Sequence, residues 1–498
     1  MNLKVKMILA IRPELTRSRI LVLFTLLLCS FSFAAGDGPY LATGIKIGEV
    51  DQTTAIVWVR LTKNPERVGF DAPVPTALYL NDATGEYEPA RGRVDRIPKV
   101  DYPEGSDINS IEGATPGANG QVRIKYRKAG ETNWQRTDWE EVDVDKDFTR
   151  QIRISDLAPG SDYELLVEAA PADSDKVSAV IEGSFKTAPP SDMASDINFI
   201  VTTGTSYDDR ETDQGYTFYN SALKLDPEFF VHTGDIIYYD YFAKTKELAL
   251  WGWDRQYSLP NHVNFHRRVA SYFIKDDHDT WMDDAYPGLT TRFMGEFTYE
   301  QGTEIFPWQV PMGELTYRTV RWGKDLQIWM VEGRDYRSPN PMPDGPDKTI
   351  WGKEQVAWFK RTVEASDATF KVLISPTPIV GPDRPNKNDN HSNKGFQFEG
   401  DSLRKFIGAQ KNMVVVCGDR HWQYVSKDQK TQVIEVSCGP GSDEHAGGWQ
   451  QNNLLPEHLY LNVCGGFLEG AVERNGGEPR LVFRHYDPEG NLLNEFGP

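Results

Sequence analysis

Cysteine is scarce. The chain has four in 498 residues; Cys29 lies in an N-terminal apolar run, and only Cys417, Cys438 and Cys464 remain beyond it. An odd number without metal-type spacing excludes both a disulfide framework and a thiolate zinc site, and at most one bridge can form. Each of the three sits in or beside an apolar run, so they read as small buried hydrophobes. Positive charge is short as well. Lys and Arg number 54 against 73 Asp and Glu, for a formal charge of -19 and a pI near 5.0. That balance argues against a stable nucleic-acid partner or an anionic membrane held through phosphate neutralisation. An acidic protein that handles phosphate must reverse its local field with metal ions or a few aimed arginines. Internal repeats and low-complexity tracts are also missing. With 39% hydrophobic residues the composition is that of a folded protein, and the length accommodates two or three domains.

Residues 1–35 read as an address. Lys4, Lys6, Arg12, Arg17 and Arg19 precede an apolar run over residues 20–28, too short to span a bilayer comfortably, and Ser32-Phe33-Ala34 supplies a small-x-small cleavage site. A secretory signal peptide is expected, hence a periplasmic or secreted protein with no membrane partner after cleavage; the alternative is an uncleaved anchor.

Residues 36–190 show short alternating runs, at 54–59, 122–126, 149–154 and 163–167, that predict half-buried strands. The turn at 157–162 delivers Tyr163 into a strand in the manner of a tyrosine corner, so this region is expected to form an all-β immunoglobulin or fibronectin III-like sandwich. Residues 97–120, rich in Gly, Pro, Asp and Ser, read as a long inserted loop. The paired prolines Pro189-Pro190 mark a linker over 187–192. Beyond it, apolar runs at 198–201, 229–231, 326–331, 371–374 and 413–416 alternate with helical stretches at 215–225 and 354–364. Residues 191–498 are therefore expected to form an α/β layered domain.

Three of its buried strands end in polar clusters: His232-Thr233-Gly234-Asp235, Lys275-Asp276-Asp277-His278-Asp279 and Gly418-Asp419-Arg420-His421. Ligands in α/β sheets sit beyond the carboxyl ends of strands, so the clusters are expected to converge. Glycine before Asp lets the carboxylate turn back over the strand end. Asp and His with few Lys suit hard or borderline cations, and Tyr238 adds a phenol suited to a trivalent ion. His232 is read evenly as a ligand or a core residue. Asp389-Asn390-His391 reads as a solvated turn or, alternatively, as a loop lining the pocket, and the aromatics Tyr239, Tyr241, Trp251, Trp253 and Trp281 read as packing or, alternatively, as a wall for an organic leaving group.

With Glu332-Gly333-Arg334-Asp335-Tyr336-Arg337 and Gly352-Lys353-Glu354-Gln355-Val356-Ala357-Trp358 added, these motifs resemble those of PhoD-like phosphatases, a branch of the calcineurin-like metallophosphoesterases. The resemblance extends over the chain after the leader, since that family carries a sandwich domain before its catalytic domain. It implies a four-layer α/β/β/α catalytic domain and a multinuclear metal site, with Fe3+ and Ca2+ as the implied ions and Zn2+ or Mn2+ as alternatives. On this resemblance Asp235 is the bridging carboxylate, Tyr238 the phenolate on iron, and Asp277, Asp419 and His421 further metal ligands. His278 is the catalytic acid or transition-state donor. Arg334 and Arg337 are the expected phosphate-binding arginines, with Arg384 a third and a structural ion pair the alternative for each. Two departures stand out. The family's thiolate after the first catalytic strand is absent from Thr202-Thr203-Gly204-Thr205-Ser206, which leaves Asp208 or Asp209 as substitutes, or the iron site altered or absent. Ser375 occupies a position where other branches carry a ligand histidine.

The function expected is a periplasmic or secreted, monomeric, metal-dependent phosphoric ester hydrolase of the alkaline phosphatase D type, acting on phosphate monoesters or diesters through metal-activated water. The alternatives are hydrolysis of another ester such as a sulfate, or a non-catalytic secreted binding or adhesion protein with a degenerate metallophosphoesterase domain.

Overall fold

The computed structural model describes residues 38–474 and 476–498; the signal peptide read at residues 1–35 lies outside the described residues. Strand alternation explains the layers, because successive side chains point to opposite faces. In Met413–Cys417, Val414 and Val416 join a core between two sheets, whereas Val415 faces a second core under the helices Gly352–Glu364 and Gln397–Gly408. The facing sheet repeats the pattern. Val201, Phe229 and Val231 enter the inter-sheet core, while Ile200 and Phe230 pack with Phe218, Tyr219 and Phe265 of the helices Thr217–Leu223 and Pro260–His266. The result is the expected helix–sheet–sheet–helix order.

The two sheets point their parallel strands at one region. Ile197–Thr202, Phe229–His232 and Ala270–Phe273 run parallel in a nine-stranded sheet. Leu326–Met330, Phe370–Ser375 and Met413–Cys417 run parallel in a seven-stranded one. A parallel bridge from Thr203 to Pro440 joins loops that leave the two sheets. The sequence reading did not identify the antiparallel strands Phe467–Arg474, Pro479–Tyr486 and Leu492–Phe496, which extend the nine-stranded sheet on one side.

The N-terminal strands form the expected sandwich. Ile45–Gly48, Ala55–Arg60 and Thr149–Ile154 pair antiparallel, and Gln121–Lys128, Asp162–Ala170 and Ala179–Lys186 form the opposing sheet. The Tyr163 hydroxyl accepts a hydrogen bond from the Ala158 amide at 2.8 Å, closing the tyrosine corner. The sandwich is continuous with the catalytic sheet: Ile45–Gly48 lies parallel to Ala270–Phe273, with Gly48 opposite Ser271. A Cβ on Gly48 would stand 2.2 Å from the Ser271 carbonyl oxygen, so glycine alone permits this approach. The expected linker is packed: Ala188 is buried, and the carbonyls of Pro189 and Met193 accept from the amides of Gly323 and Lys324.

The loop expected over 97–120 is corrected in part. Pro98–Asp101 is a strand that pairs with Thr76–Leu80, itself paired with Tyr87–Glu88. This three-stranded insertion packs against the catalytic region, with Tyr79 stacked on Phe293 at 5.5 Å. Its strands are short and mostly half-buried, with Tyr79 alone buried among them, which leaves little hydrophobic alternation to read. Cys417, Cys438 and Cys464 are free, the first two buried. Among the described residues no helix is long and apolar enough to cross a membrane.

Candidate active site

Two Gly-Asp turns build the site. Asp235 follows Phe229–His232 with φ 56°, after Gly234 at φ 106°; Asp419 follows Met413–Cys417 and Gly418 with φ 61°. Aspartate tolerates the left-handed region better than most residues. A Cβ on Gly234 would meet the Cβ of Asp276 at 2.6 Å, and one on Gly418 would meet the Thr233 Oγ1 at 2.4 Å. Asp279 holds the first turn. Its carboxylate accepts from the amides of Ile236 and of Ile237, the latter at 2.9 Å, and from the Asp276 amide at 2.9 Å.

The expected metal residues come together. Ligand atoms of Asp235, Asp277 and His278 lie within 4.8 Å of one another, as do those of Asp235, Asp276 and Asp419. The Tyr238 Oη is 3.4 Å from Asp235 Oδ2 and 3.3 Å from His421 Nε2, and His421 Nε2 is 3.5 Å from Asp235 Oδ2. Asp235 is buried, and its Oδ1 makes no hydrogen bond among the described residues. Burial, reinforced by Asp277, pushes its pKa well above the usual carboxylate range. Burial also lowers the His421 pKa well below the ordinary value, with His445 and His278 adding to it, so its imidazole is in the neutral form, which has a free lone pair. Buried carboxylates with an unsatisfied oxygen, beside a phenol and a neutral imidazole, fit the donor set of hard and borderline cations.

His278 stands at the edge of this cluster, its ring 4.3 Å from that of Tyr238. Its Nδ1 is 2.8 Å from Asp240 Oδ1, and Asp240 is held by Arg93 Nε at 2.7 Å. Burial alone would lower the His278 pKa, but Asp240 and Asp277 raise it well above the ordinary value, so the ring is protonated. Neither Asp240 nor Arg93 was singled out from the sequence. Arg93 belongs to the inserted region, distant in sequence.

The arginines divide. Arg334 is fully buried and committed to Asp276 at 2.5 Å, with Asp277 at 3.7 Å. Arg337 is buried, donates to the Asp389 carbonyl and leaves its Nε and Nη1 unpartnered among the described residues. Arg384 is partly exposed and lies over Trp422, next in sequence to His421. His232 is a core residue: it is buried, its Nε2 is 3.0 Å from Thr205 Oγ1, and burial lowers its pKa to about 3. The solvated turn expected at 389–391 is also corrected, since all three residues are buried and His391 is fixed by Glu399 at 2.8 Å. Trp253 and Trp281 are packing residues bonded to Tyr239 and to the Phe297 carbonyl, whereas Tyr241 is exposed and stacks on Tyr238 at 5.2 Å.

A family model described as PhoD-like phosphatase matches residues 199–457, just over half of the chain. The chain belongs to the PhoD-like phosphatase family. Among solved structures, one described as PhoD is similar with a TM-score of 0.69 and 16% identity, covering 93% of this chain and 90% of the other. A purple acid phosphatase, PPD1 from yellow lupin (Lupinus luteus) seeds, is similar with a TM-score of 0.61 and 11% identity, covering 91% of this chain and 73% of the other. At these identities the likeness is one of fold. Among curated proteins none matches by sequence. Membership of the family supports a phosphoesterase, and with it a metal cofactor.

Against the motif of PhoD-like phosphatases, the first catalytic strand shows how this member differs. Thr203 and Thr205 occupy the turn where a thiolate is expected, and bond to the Gly234 and Ile236 carbonyls. Asp208 is exposed and lies 3.6 Å from Arg255. Asp209 instead points inward, its Oδ2 2.7 Å from His445 Nδ1, and His445 Nε2 is 2.5 Å from the Tyr238 hydroxyl. His445 was missed from the sequence, although a signal was present: the buried strand Ile434–Cys438 also ends in a glycine-rich polar loop. Ser375 is buried and donates to the Thr377 carbonyl at 2.7 Å.

Proposed function

We propose that this protein is an exported, metal-dependent phosphatase that hydrolyses phosphate monoesters, diesters or both. The observation that carries the reading is the buried carboxylate of Asp235, whose Oδ1 makes no hydrogen bond among the described residues, amid Asp276, Asp277, His278 and Asp419. Bound cations supply the positive field that neutralises phosphate oxygens and activates water for attack. Asp235, Tyr238, Asp277, Asp419 and His421 hold them. His278, oriented and kept protonated by Asp240, delivers a proton to the departing oxygen. Arg334 keeps Asp276 and Asp277 in place, and Arg337 and Arg384 add positive field for the ester. The leader at residues 1–35 directs export.

The test is elemental analysis of dialysed protein together with parallel assays on p-nitrophenyl phosphate, its diester and p-nitrophenyl sulfate. Stoichiometric cations with phosphate-ester turnover are expected, both lost in Asp235→Ala while the chain stays folded. Sulfate turnover without phosphate turnover would reassign the substrate. A protein that holds no cation and turns over none of the three is a relic, and the reading fails.

A further inference from the structure

His445 has a geometry that a structural histidine does not need. Its Nδ1 is fixed by the Asp209 carboxylate at 2.7 Å, which determines the ring's orientation and its tautomer. Its Nε2 is thereby aimed inward at the Tyr238 hydroxyl, 2.5 Å away. The His421 ring lies alongside, with centroids 4.2 Å apart, and the side chain of His445 is almost fully buried. Donor atoms from three parts of the chain thus surround the Tyr238 Oη, with Asp235 Oδ2 at 3.4 Å, His421 Nε2 at 3.3 Å and His445 Nε2 at 2.5 Å. Among Asp235, Tyr238 and His421 the three donor separations are 3.3 Å, 3.4 Å and 3.5 Å. Ligands bonded at about 2.1 Å to one cation stand roughly 3.0–3.5 Å apart along the edges of a tetrahedral or octahedral shell. Those three separations have that size; to join them the His445 ring shifts, widening its approach to Tyr238 by about half an ångström and closing on Asp235 and His421.

We propose that His445 is a metal ligand, completing with Asp235, Tyr238 and His421 the cation site whose thiolate is missing from the first catalytic strand, and that Asp209 is its positioning residue. The assignment rests on the metal-dependent reading above. It also explains the Thr203 and Thr205 substitution: the ligand comes from the loop after Ile434–Cys438, and the turn Tyr207–Asp209 that follows the first strand contributes only the carboxylate behind it. The carboxylate–imidazole–metal arrangement raises the basicity of the ligating nitrogen, which compensates for a softer anionic donor. The site is then built of one phenol, one carboxylate and two imidazoles, a set suited to a trivalent first-row ion.

The experiment uses the full chain reconstituted with ferric iron, with visible absorption from tyrosinate-to-iron charge transfer and iron content after dialysis as readouts. His445→Gln, which keeps a hydrogen-bond donor for Tyr238, is expected to lose the bound iron and its band while retaining the melting profile of the apoprotein. Asp209→Asn is expected to weaken iron affinity by roughly ten- to a hundredfold and to keep the band at saturating iron. In His445→Gly, a smaller cavity-forming change that serves should His445→Gln fail to fold, free imidazole is expected to restore the band. An unchanged band and iron content in His445→Gln, or no recovery with imidazole in His445→Gly, would overturn the assignment and leave His445 as a hydrogen-bond partner of Tyr238. Iron bound through His445 without turnover of any phosphate ester sinks the phosphatase reading alone; a wild-type protein that holds no iron overturns the assignment itself.

Discussion

His278 owes its protonation to neighbours rather than to its own ring. Asp240 and Asp277 outweigh the burial that would otherwise strip its proton. His278→Ala is therefore expected to lower kcat by roughly 10²–10⁴-fold with metals still bound, measured by steady-state kinetics beside elemental analysis. Loss of metal in that variant would make His278 a ligand. Other histidines carry the opposite burden. His485, far along the chain in Pro479–Tyr486, is fully buried, and its pKa is lowered to about 4 by burial against a smaller opposing effect from the Ser437 carbonyl. A folded-state pKa below the unfolded value of about 6.5 means that the unfolded chain takes up the proton first as pH falls. The stability contributed by neutral His485 is thus complete above about pH 6.5 and is lost as pH falls toward 4, by about 3 kcal/mol at most. Urea midpoints at pH 7 and pH 5 should differ less in His485→Gln than in the wild type; an equal drop would contradict this account.

Elements rather than residues decide how His278 is held. The insertion built on Thr76–Leu80 sends Arg93 to Asp240 and, at 2.9 Å, to Asp283. Arg93→Ala is expected to lower kcat by roughly ten- to a hundredfold with a smaller change in KM, because it frees the carboxylate that orients the acid without removing a substrate contact. A change confined to KM would instead place Arg93 on the substrate. The same element shows where sequence reading stops. Apolar runs such as 413–416 declared buried strands, and the polar clusters at their ends declared Asp235, Asp277, His278, Asp419 and His421, because burial and chain reversal both leave a local pattern. Arg93, Asp209, Asp240 and His445 left no comparable mark. Their roles arise from contacts between segments remote in sequence, and an isolated Arg or Asp in a polar loop looks like any solvated residue. The Gly48 seam was invisible for the same reason: a glycine in a strand reports a close approach but not the partner.

At the scale of the molecule, sandwich and catalytic region share one sheet and a buried polar knot. Arg60 of the sandwich pairs with Asp147 and with Asp254 of the helix Lys246–Tyr257, both at 2.8 Å, and Lys46 donates to the Gln309 carbonyl at 2.8 Å. A fragment of residues 191–498 would expose Ala270–Phe273 as an unpaired edge and strand Asp254 without its cation. That fragment is expected to aggregate, whereas the full chain should melt in a single calorimetric transition. A soluble, active fragment would show the sandwich to be dispensable. The parallel contact at Gly48 also constrains chimaeras: a sandwich transplanted from a relative will seat only if it brings a residue without a side chain opposite Ser271, so the compatible graft is chosen by that position before any overall likeness.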